Sequence, residues 1–375
     1  MQKLKSDTEI INQIFEHIDS GTTDLGEVVW KEPVENYTSK KRFDEEINLL
    51  RHLPVAFAPS TALSDKGSYI ARPVAGVPII VVRDKNKKLR AFRNACRHRG
   101  KTLVEGEGKT SVFRCRYHGW TYGIDGSLQH IPHEAGFPDL DKGCNGLTPI
   151  HEVIEQGGLV YVSIEKPLDQ GALRNMPQLI KDDQQIFDYN VSSQAFNWKL
   201  NIEATMEGYH IKPTHKETFY PYGYDNLNVV ETFGRNSRIT FPFRRIEDLR
   251  NTAEEKRDIA GKVTYVYSVF PNCNVAYLSN HISVQISEPI SPTETQYFWY
   301  RLGKVSGKET EKEIERMKKD ARFVSEIGLN EDNEVVAGIQ EGLKSGANTH
   351  FTYGLYEKAI AHFLKNLTDL INRDH

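Results

Sequence analysis

The chain has 375 residues, 38% hydrophobic and 26% charged, with a net charge of −3. Such a composition fits a globular protein of more than one domain-sized unit, and it offers no basic excess for a nucleic acid or an anionic membrane. No run approaches the ~20 apolar residues that cross a bilayer, and four cysteines in so long a chain argue against a disulfide framework.

At the N-terminus, Ile10, Ile11, Ile14, Phe15 and Ile18 recur at helical spacing, without the continuous apolar core of a signal peptide. The expectation is a short amphipathic helix in a reducing, cytoplasmic protein. A second short helix is predicted over 41–53. From about 54 to 165 the text changes to short strands at 76–83, 88–93, 111–115, 120–123 and 158–164. Turn signals lie between them at Asp84–Lys87 and Asp125-Gly126. After Lys166-Pro167 comes a loop-like stretch. Strands at 238–244, 262–270, 274–278, 281–288 and 295–302 then suggest a larger antiparallel sheet, followed by helices at about 309–326, 332–344 and 353–371. The partition this predicts is an N-terminal helical segment (1–40), a small all-β domain (41–165) and a larger α+β domain (166–375). Cys144 and Cys273 read as small buried hydrophobes.

Two short loops carry the strongest signal. NACRHRG and CRYHGW place Cys96, His98, Cys115 and His118 in the pattern C-x-H-x16-C-x2-H. A structural zinc site also takes two thiolates and two imidazoles, but usually as a cysteine pair followed by a histidine pair. Here each loop gives one of each, which suits a binuclear cluster with both thiolates on one iron and both imidazoles on the other. Gly100 and Gly119 allow tight loops around it. These loops closely resemble the two cluster-binding loops of the Rieske family. Arg116 stands where that family often has Pro.

The chain is far longer than a lone electron carrier, which leaves room for a second metal site downstream. NWKLNIEATMEGYHIKPTH contains Glu203, Glu207, His210 and His215. Glu207 and His210, three apart, would share a helix face. His210 and His215 would diverge by ~140° on a regular helix, so Pro213 is expected to break it and let both imidazoles converge. Two histidines and a carboxylate are the ligand set of non-haem Fe(II) oxygenases; a chance pairing of two histidines is the plain alternative.

The segment resembles the iron-binding stretch of Rieske non-haem iron oxygenases, catalytic subunit, and the resemblance runs from about Arg42 to Leu370. It implies an α+β fold: an all-β Rieske [2Fe–2S] domain, then a helix-grip domain of antiparallel sheet and long C-terminal helix. It implies a [2Fe–2S] cluster on Cys96, His98, Cys115 and His118. It also implies a mononuclear Fe(II) on His210, His215 and a carboxylate from the pair Glu331-Asp332, assigned to Asp332 with Glu331 as the fallback. An Asp in that place is otherwise an ordinary helix cap. Glu207 falls where the family has a carboxylate bridging two subunits, commonly Asp, with Glu in some members acting on quaternary amines or carnitine-like compounds. Ala204 replaces an asparagine common in the family.

By that resemblance the cluster relays single electrons to an iron that activates O₂. The protein would hydroxylate, dihydroxylate or oxidatively demethylate a small aromatic or amine/carboxylate substrate. Electrons would come from NAD(P)H through a separate reductase, possibly with a ferredoxin, and the chain would assemble as a head-to-tail homotrimer or a multiple of it. No G-x-G-x-x-G opens a helix after a strand, so the nicotinamide is not expected to bind here. The competing readings are an electron-transfer protein with a fused binding domain and a zinc-stabilised binding protein. Phe219, Tyr220 and Tyr222 are candidates for pocket wall or plain core. Arg244 and Arg245 read as a solvated strand end sooner than as partners of a substrate carboxylate.

Overall fold

The computed structural model describes residues 4–168, 172–173, 175–304, 311–324 and 328–373. They divide into two compact units, one of residues 47–182 and the other of residues 1–46 with 183–375.

The first unit is all-β. Strands 89–93, 77–83, 68–74 and 106–109 form one antiparallel sheet in that order. Strands 152–156, 159–163 and 55–59 form a second, and 112–114, 121–123 and 128–130 a third. Ile79–Val82 are wholly buried, which is why that run is apolar at every position rather than alternating. The unit's core gathers Ile80, Phe92, Leu103, Phe113, Trp120 and Tyr122, with Cys96 and Cys115 inside the same cluster. Both cysteine-bearing loops are thus anchored from within.

The second unit is built on a seven-stranded antiparallel sheet. Its order is 184–194, 294–304, 282–291, 273–277, 263–269, 236–242 and 229–233. Helix α1 (Asp7–Ser20) opens with a capping box between Ser6 and Glu9 and closes on Gly21 at φ 62°. Its Ile10, Ile11, Ile14 and Phe15 pack on Val229, Ile246, Leu249 and Val263. The N-terminal helix is therefore part of this unit's core. Helix α2 spans Lys40–Arg51. Helices α3 (Trp198–Ala204) and α4 (Ile211–Thr214) carry the iron-type motif. Helices α5 (Glu311–Phe323), α6 (Leu329–Leu343) and α7 (Lys358–Arg373) follow the sheet. The α7 stripe of Ile360, Phe363, Leu364, Leu367, Leu370 and Ile371 is buried. No helix among the described residues is long and apolar enough to cross a membrane.

Several elements lie outside the strand and helix readings. The 184–194 strand occupies part of the expected loop-like stretch, its alternating side chains too polar to read as a strand. Residues 30–33 pair antiparallel with 350–353, a short ladder from opposite ends of the chain. That ladder takes the start of the helix expected from 353; α7 begins at Lys358 after a 3₁₀ turn. The ends of the helix expected at 309–326 fall partly outside the described residues. Cys273 is buried as expected, but Cys144 is exposed in a 3₁₀ turn after Asp141, to which its thiol donates at 3.1 Å. Its chain neighbours are Gly143 and Asn145, and its partner is a carboxylate.

Candidate functional site

Each cysteine loop closes on itself. The backbone N–H of Cys96 donates to Lys101 at 2.9 Å, and that of Gly100 to Cys96 at 2.8 Å. Cys115 donates to Trp120 at 2.8 Å, and Gly119 to Cys115 at 3.0 Å. Gly100 and Gly119 sit at φ 74° and 78°, so these turns require the glycines found there. Cys96 and Cys115 are both buried and lie beside each other without a disulfide. Burial pushes the Cys96 thiol up, and the neighbouring Cys115 adds to it. The His98 and His118 rings lie 4.7 Å apart, and Trp120 stacks on His98 at 5.0 Å. Burial, then His118 and Arg99, lower the His98 pKa and favour the neutral ring that can ligate a metal.

Tyr122 is a member of this site that sequence reasoning missed. Its hydroxyl accepts from the Arg97 backbone N–H at 2.9 Å, so its own hydrogen is free to point at Cys96 Sγ, 3.3 Å away. The residue stands just beyond CRYHGW, in a strand whose side chain must turn inward, and that position was the available signal.

The second site forms where α3 gives way to α4. Glu207 and His210 do not share a helix face, because residues 205–210 are a turn. The Glu207 carboxylate makes that turn, accepting the backbone N–H groups of Tyr209 and His210, and its other oxygen meets His210 Nδ1. Pro213 does not break a helix. It lies in the first turn of four-residue α4, where its missing N–H has no intrahelical acceptor to lose. His210 and His215 flank that helix, and their rings lie 5.2 Å apart.

α6 supplies the acidic pair. Its N-cap is Gly328, with no side-chain cap, so Asp332 is not there for capping. Asp332 Oδ1 lies 2.9 Å from His215 Nε2 and 3.5 Å from His210 Nε2. One ligand atom from each of His210, His215 and Asp332 lies within 4.8 Å of the others. Glu331 faces elsewhere: its Oε2 takes His215 Nδ1 at 2.6 Å and the Thr218 hydroxyl at 2.7 Å. The geometry divides the pair, with Asp332 at the convergence point and Glu331 behind His215. Burial alone would lower the His210 pKa, but Glu207 and Asp332 outweigh it. Burial likewise opposes charge on His215, and Asp332 and Glu331 raise it. With each Nδ1 held by a carboxylate, each Nε2 is set to offer its lone pair inward.

Of the three aromatics after His215, only Phe219 reaches the site, 4.7 Å from the His215 ring, with Phe323 6.1 Å beyond. Tyr222 is exposed, and Tyr220 lies under Arg244 and Lys212. Arg244 and Arg245 are exposed and stack on neighbouring aromatics.

Residues 183–373 match the family of the ring hydroxylating alpha subunit catalytic domain, and residues 54–142 match the Rieske [2Fe-2S] domain. The chain belongs to the ring-hydroxylating alpha-subunit family of Rieske oxygenases. Similar proteins include the carnitine monooxygenase oxygenase subunit of Escherichia coli K12, 26% identical over 371 residues, covering 89% of this chain and 92% of that protein. The glycine betaine monooxygenase oxygenase subunit of Chromohalobacter salexigens is 36% identical over 160 residues, covering 40% of this chain and 35% of that protein. Among solved structures, the quaternary ammonium Rieske monooxygenase CntA with L-carnitine aligns at a TM-score of 0.77 and 22% identity, covering 99% of both chains. Naphthalene 1,2-dioxygenase from Rhodococcus sp. aligns at 0.75 and 20% identity, covering 98% of both. This oxygenase therefore has a Rieske domain followed by a catalytic domain, and the family's cofactors are a [2Fe–2S] cluster and a mononuclear iron. The electron-transfer and zinc-binding readings give way to an oxygenase.

Proposed function

We propose that this terminal oxygenase acts on a small quaternary ammonium compound, using His210, His215 and Asp332 to hold the mononuclear iron and Cys96, His98, Cys115 and His118 to hold the cluster. The observation that carries the site reading is the convergence of two imidazole Nε2 atoms on one carboxylate oxygen, with a second carboxylate behind each ring. Two neutral nitrogens and one anionic oxygen fit Fe(II) and leave the remaining positions open. When bound there, the iron supplies the redox chemistry that O₂ needs. The protein's part is placement. Glu207 and Glu331 fix the two ring tautomers, and Phe219 covers His215 and keeps water from it. At the other centre, the buried Cys96 and Cys115 would be thiolates on the cluster, with the Tyr122 hydroxyl aimed at the Cys96 sulfur.

The substrate reading rests on three supports. Relatives of near-full-length overlap are named for carnitine. Glu207 stands where aromatic-ring oxygenases commonly have Asp. The sheet surface that meets α3 is polar: Asn274 donates to Thr205 Oγ1 at 2.8 Å, Gln285 donates to Asn201, and Asn201 reaches Asn333 beside Asp332. The buried Asn274 Oδ1 has no partner among the described residues. Buried amides beside Asp332 suit a site for a charged, hydrated substrate better than one for a bare hydrocarbon.

We further propose a head-to-tail trimer in which Glu207 bridges His210 to the cluster histidines of a neighbouring copy, since a heterologous contact of this kind closes into a ring. The solved structure of a quaternary ammonium Rieske monooxygenase gives insights into inter-subunit electron transfer, which supports that arrangement. The deciding experiment is reductase- or peroxide-driven turnover on a panel of betaines, N-methyl compounds and aromatic acids, read by mass spectrometry. Oxidation of a quaternary ammonium compound is expected. Products from the aromatic acids alone would overturn the substrate reading.

A further inference from the structure

One buried histidine takes no part in either metal site. His281 stands just before the strand Ile282–Ser291, and its side chain is 0% exposed. Its Nδ1 meets Asp320 Oδ2 on α5 at 2.8 Å. Burial raises the Asp320 pKa, but the bonds from His281 and Asn280 outweigh it and hold the carboxyl below its ordinary value. An ionised carboxylate only accepts, so Nδ1 is the donor, and in the neutral ring the lone pair lies on Nε2. That Nε2 is buried with no hydrogen-bond partner among the described residues. A buried polar atom left unmet costs free energy, and the chain itself supplies nothing to meet this one.

Residues 281, 283 and 285 share one face of the sheet by alternation. On that face Gln285 donates to Asn201 of α3, and Asn201 reaches Asn333, next to Asp332. His281 is therefore on the iron-site face, about 14 Å along the strand from Gln285. α5 covers the same corner. Gly303 continues the pairing of Ile282 with Leu302, and a side chain there would run into Met317 of α5. One turn beyond Asp320, Phe323 comes 6.1 Å from Phe219, which lies 4.7 Å from His215. The His281–Asp320 pair and the iron-type triad thus border one interior region. It is not packed shut: Thr264, Ala276 and Leu278 face the same way on the middle strands, and all three stay partly exposed.

We propose that His281 is a substrate-recognition residue, whose Nε2 accepts a hydrogen bond from a hydroxyl that the substrate carries away from its ammonium group, with Asp320 fixing the ring's tautomer. The proposal rests on the quaternary ammonium reading and narrows it to hydroxylated members of that class. A quaternary nitrogen has no hydrogen to give and a carboxylate only accepts, so on such a compound a hydroxyl is the group that meets a lone pair. A site built around a substrate hydroxyl rejects the analogue without it, because its own polar atom is then left unmet.

The test is calorimetry on the full chain with both metal centres loaded, without reductase so that nothing turns over. The probes are trimethylammonium ions with a terminal hydroxyl on chains of two, four and six carbons. Each is compared with the plain alkyl ion of the same length and with its methyl ether, which accepts but cannot donate. At one or more lengths the alcohol is expected to bind at least about tenfold more tightly than both counterparts. His281→Leu with Asp320→Leu removes both partners together and orphans no carboxylate. It is expected to keep alkyl-ion binding and cluster absorbance and to lose the preference for the alcohol. His281→Phe, which keeps a ring of similar size, is expected to do the same. No preference at any length, an ether that binds as well as the alcohol, or a preference that survives in either variant would overturn the proposal. Binding of aromatic acids with none of the ammonium ions would instead overturn the substrate reading beneath it.

Discussion

Replacing Glu331 by Ala separates two roles that a carboxylate beside a metal site can have. If Glu331 were the iron ligand, its loss would empty the site, and Asp332→Ala would be mild. The geometry predicts the opposite order. Glu331 holds His215 Nδ1 at 2.6 Å and Thr218 at 2.7 Å, behind a ring whose side chain is only 1% exposed. Without it, a buried imidazole N–H loses its acceptor and the ring loses the partner that fixes its tautomer. Outer carboxylates of this kind are typically worth about 10–100-fold in metal affinity, or about 1.4–2.7 kcal/mol. The assay is anaerobic titration of cluster-replete, iron-stripped protein with Fe(II) or Co(II), followed by the visible bands of the cobalt form. Glu331→Ala is expected to bind the metal about 10–100-fold more weakly, Glu331→Gln to keep much of the affinity through its amide oxygen, and Asp332→Ala to lose the site. Unchanged affinity in Glu331→Ala, or a functional site in Asp332→Ala, would refute the reasoning.

Other consequences follow from single residues. Glu203 is fully buried and accepts from Tyr37 Oη at 2.7 Å and Tyr353 Oη at 2.8 Å. Burial raises its pKa from 4.5 to about 7. The folded chain therefore holds this proton more tightly than the unfolded chain does. The resulting stability is complete below about pH 4.5 and is lost as pH rises through about 7, a change of about 3 kcal/mol. Melting of wild type and Glu203→Gln across that range should show the slope flatten in the variant; an unaltered slope would contradict it. Tyr122→Phe removes the hydroxyl aimed at the Cys96 sulfur. If that bond favours the reduced cluster by about 1 kcal/mol, the potential should fall by about 40 mV in a redox titration, and no change would show that it carries no weight. Ile14 is fully buried where α1 meets the sheet. Ile14→Ala should cost about 2–4 kcal/mol in denaturant unfolding, and a loss within ±0.5 kcal/mol would show that α1 does not hold this unit together.

The cluster loops and the larger sheet were legible because their signals are local. Four candidate ligands sit in two short motifs, and the runs at 263–269, 273–277 and 282–291 alternate or stay apolar as buried strands do. The convergence at the second site was legible in kind but not in means. Spacing suggested a helix face and a proline break, while the chain uses a turn organised by the Glu207 carboxylate. The roles of Glu331 and Asp332 could not be separated by sequence, since both are acids in one helical turn; only the direction each takes from α6 divides them. The pairing of 30–33 with 350–353 joins segments some three hundred residues apart, and no local pattern encodes it. The same holds for Glu203, whose partners Tyr37 and Tyr353 lie just after and within those distant segments.

The most direct test of the central claim is iron and acid-labile sulfide analysis before and after mild chelation, with the visible spectrum and O₂ consumption followed on the same sample. A chain with a Rieske cluster and a separate histidine-bound iron should give about three irons and two sulfides. Chelation should remove one iron and abolish O₂ consumption while the cluster spectrum persists, and His210→Ala should start from that depleted state. Protein without labile sulfide, or with O₂ consumption intact after the third iron is gone, would contradict the account.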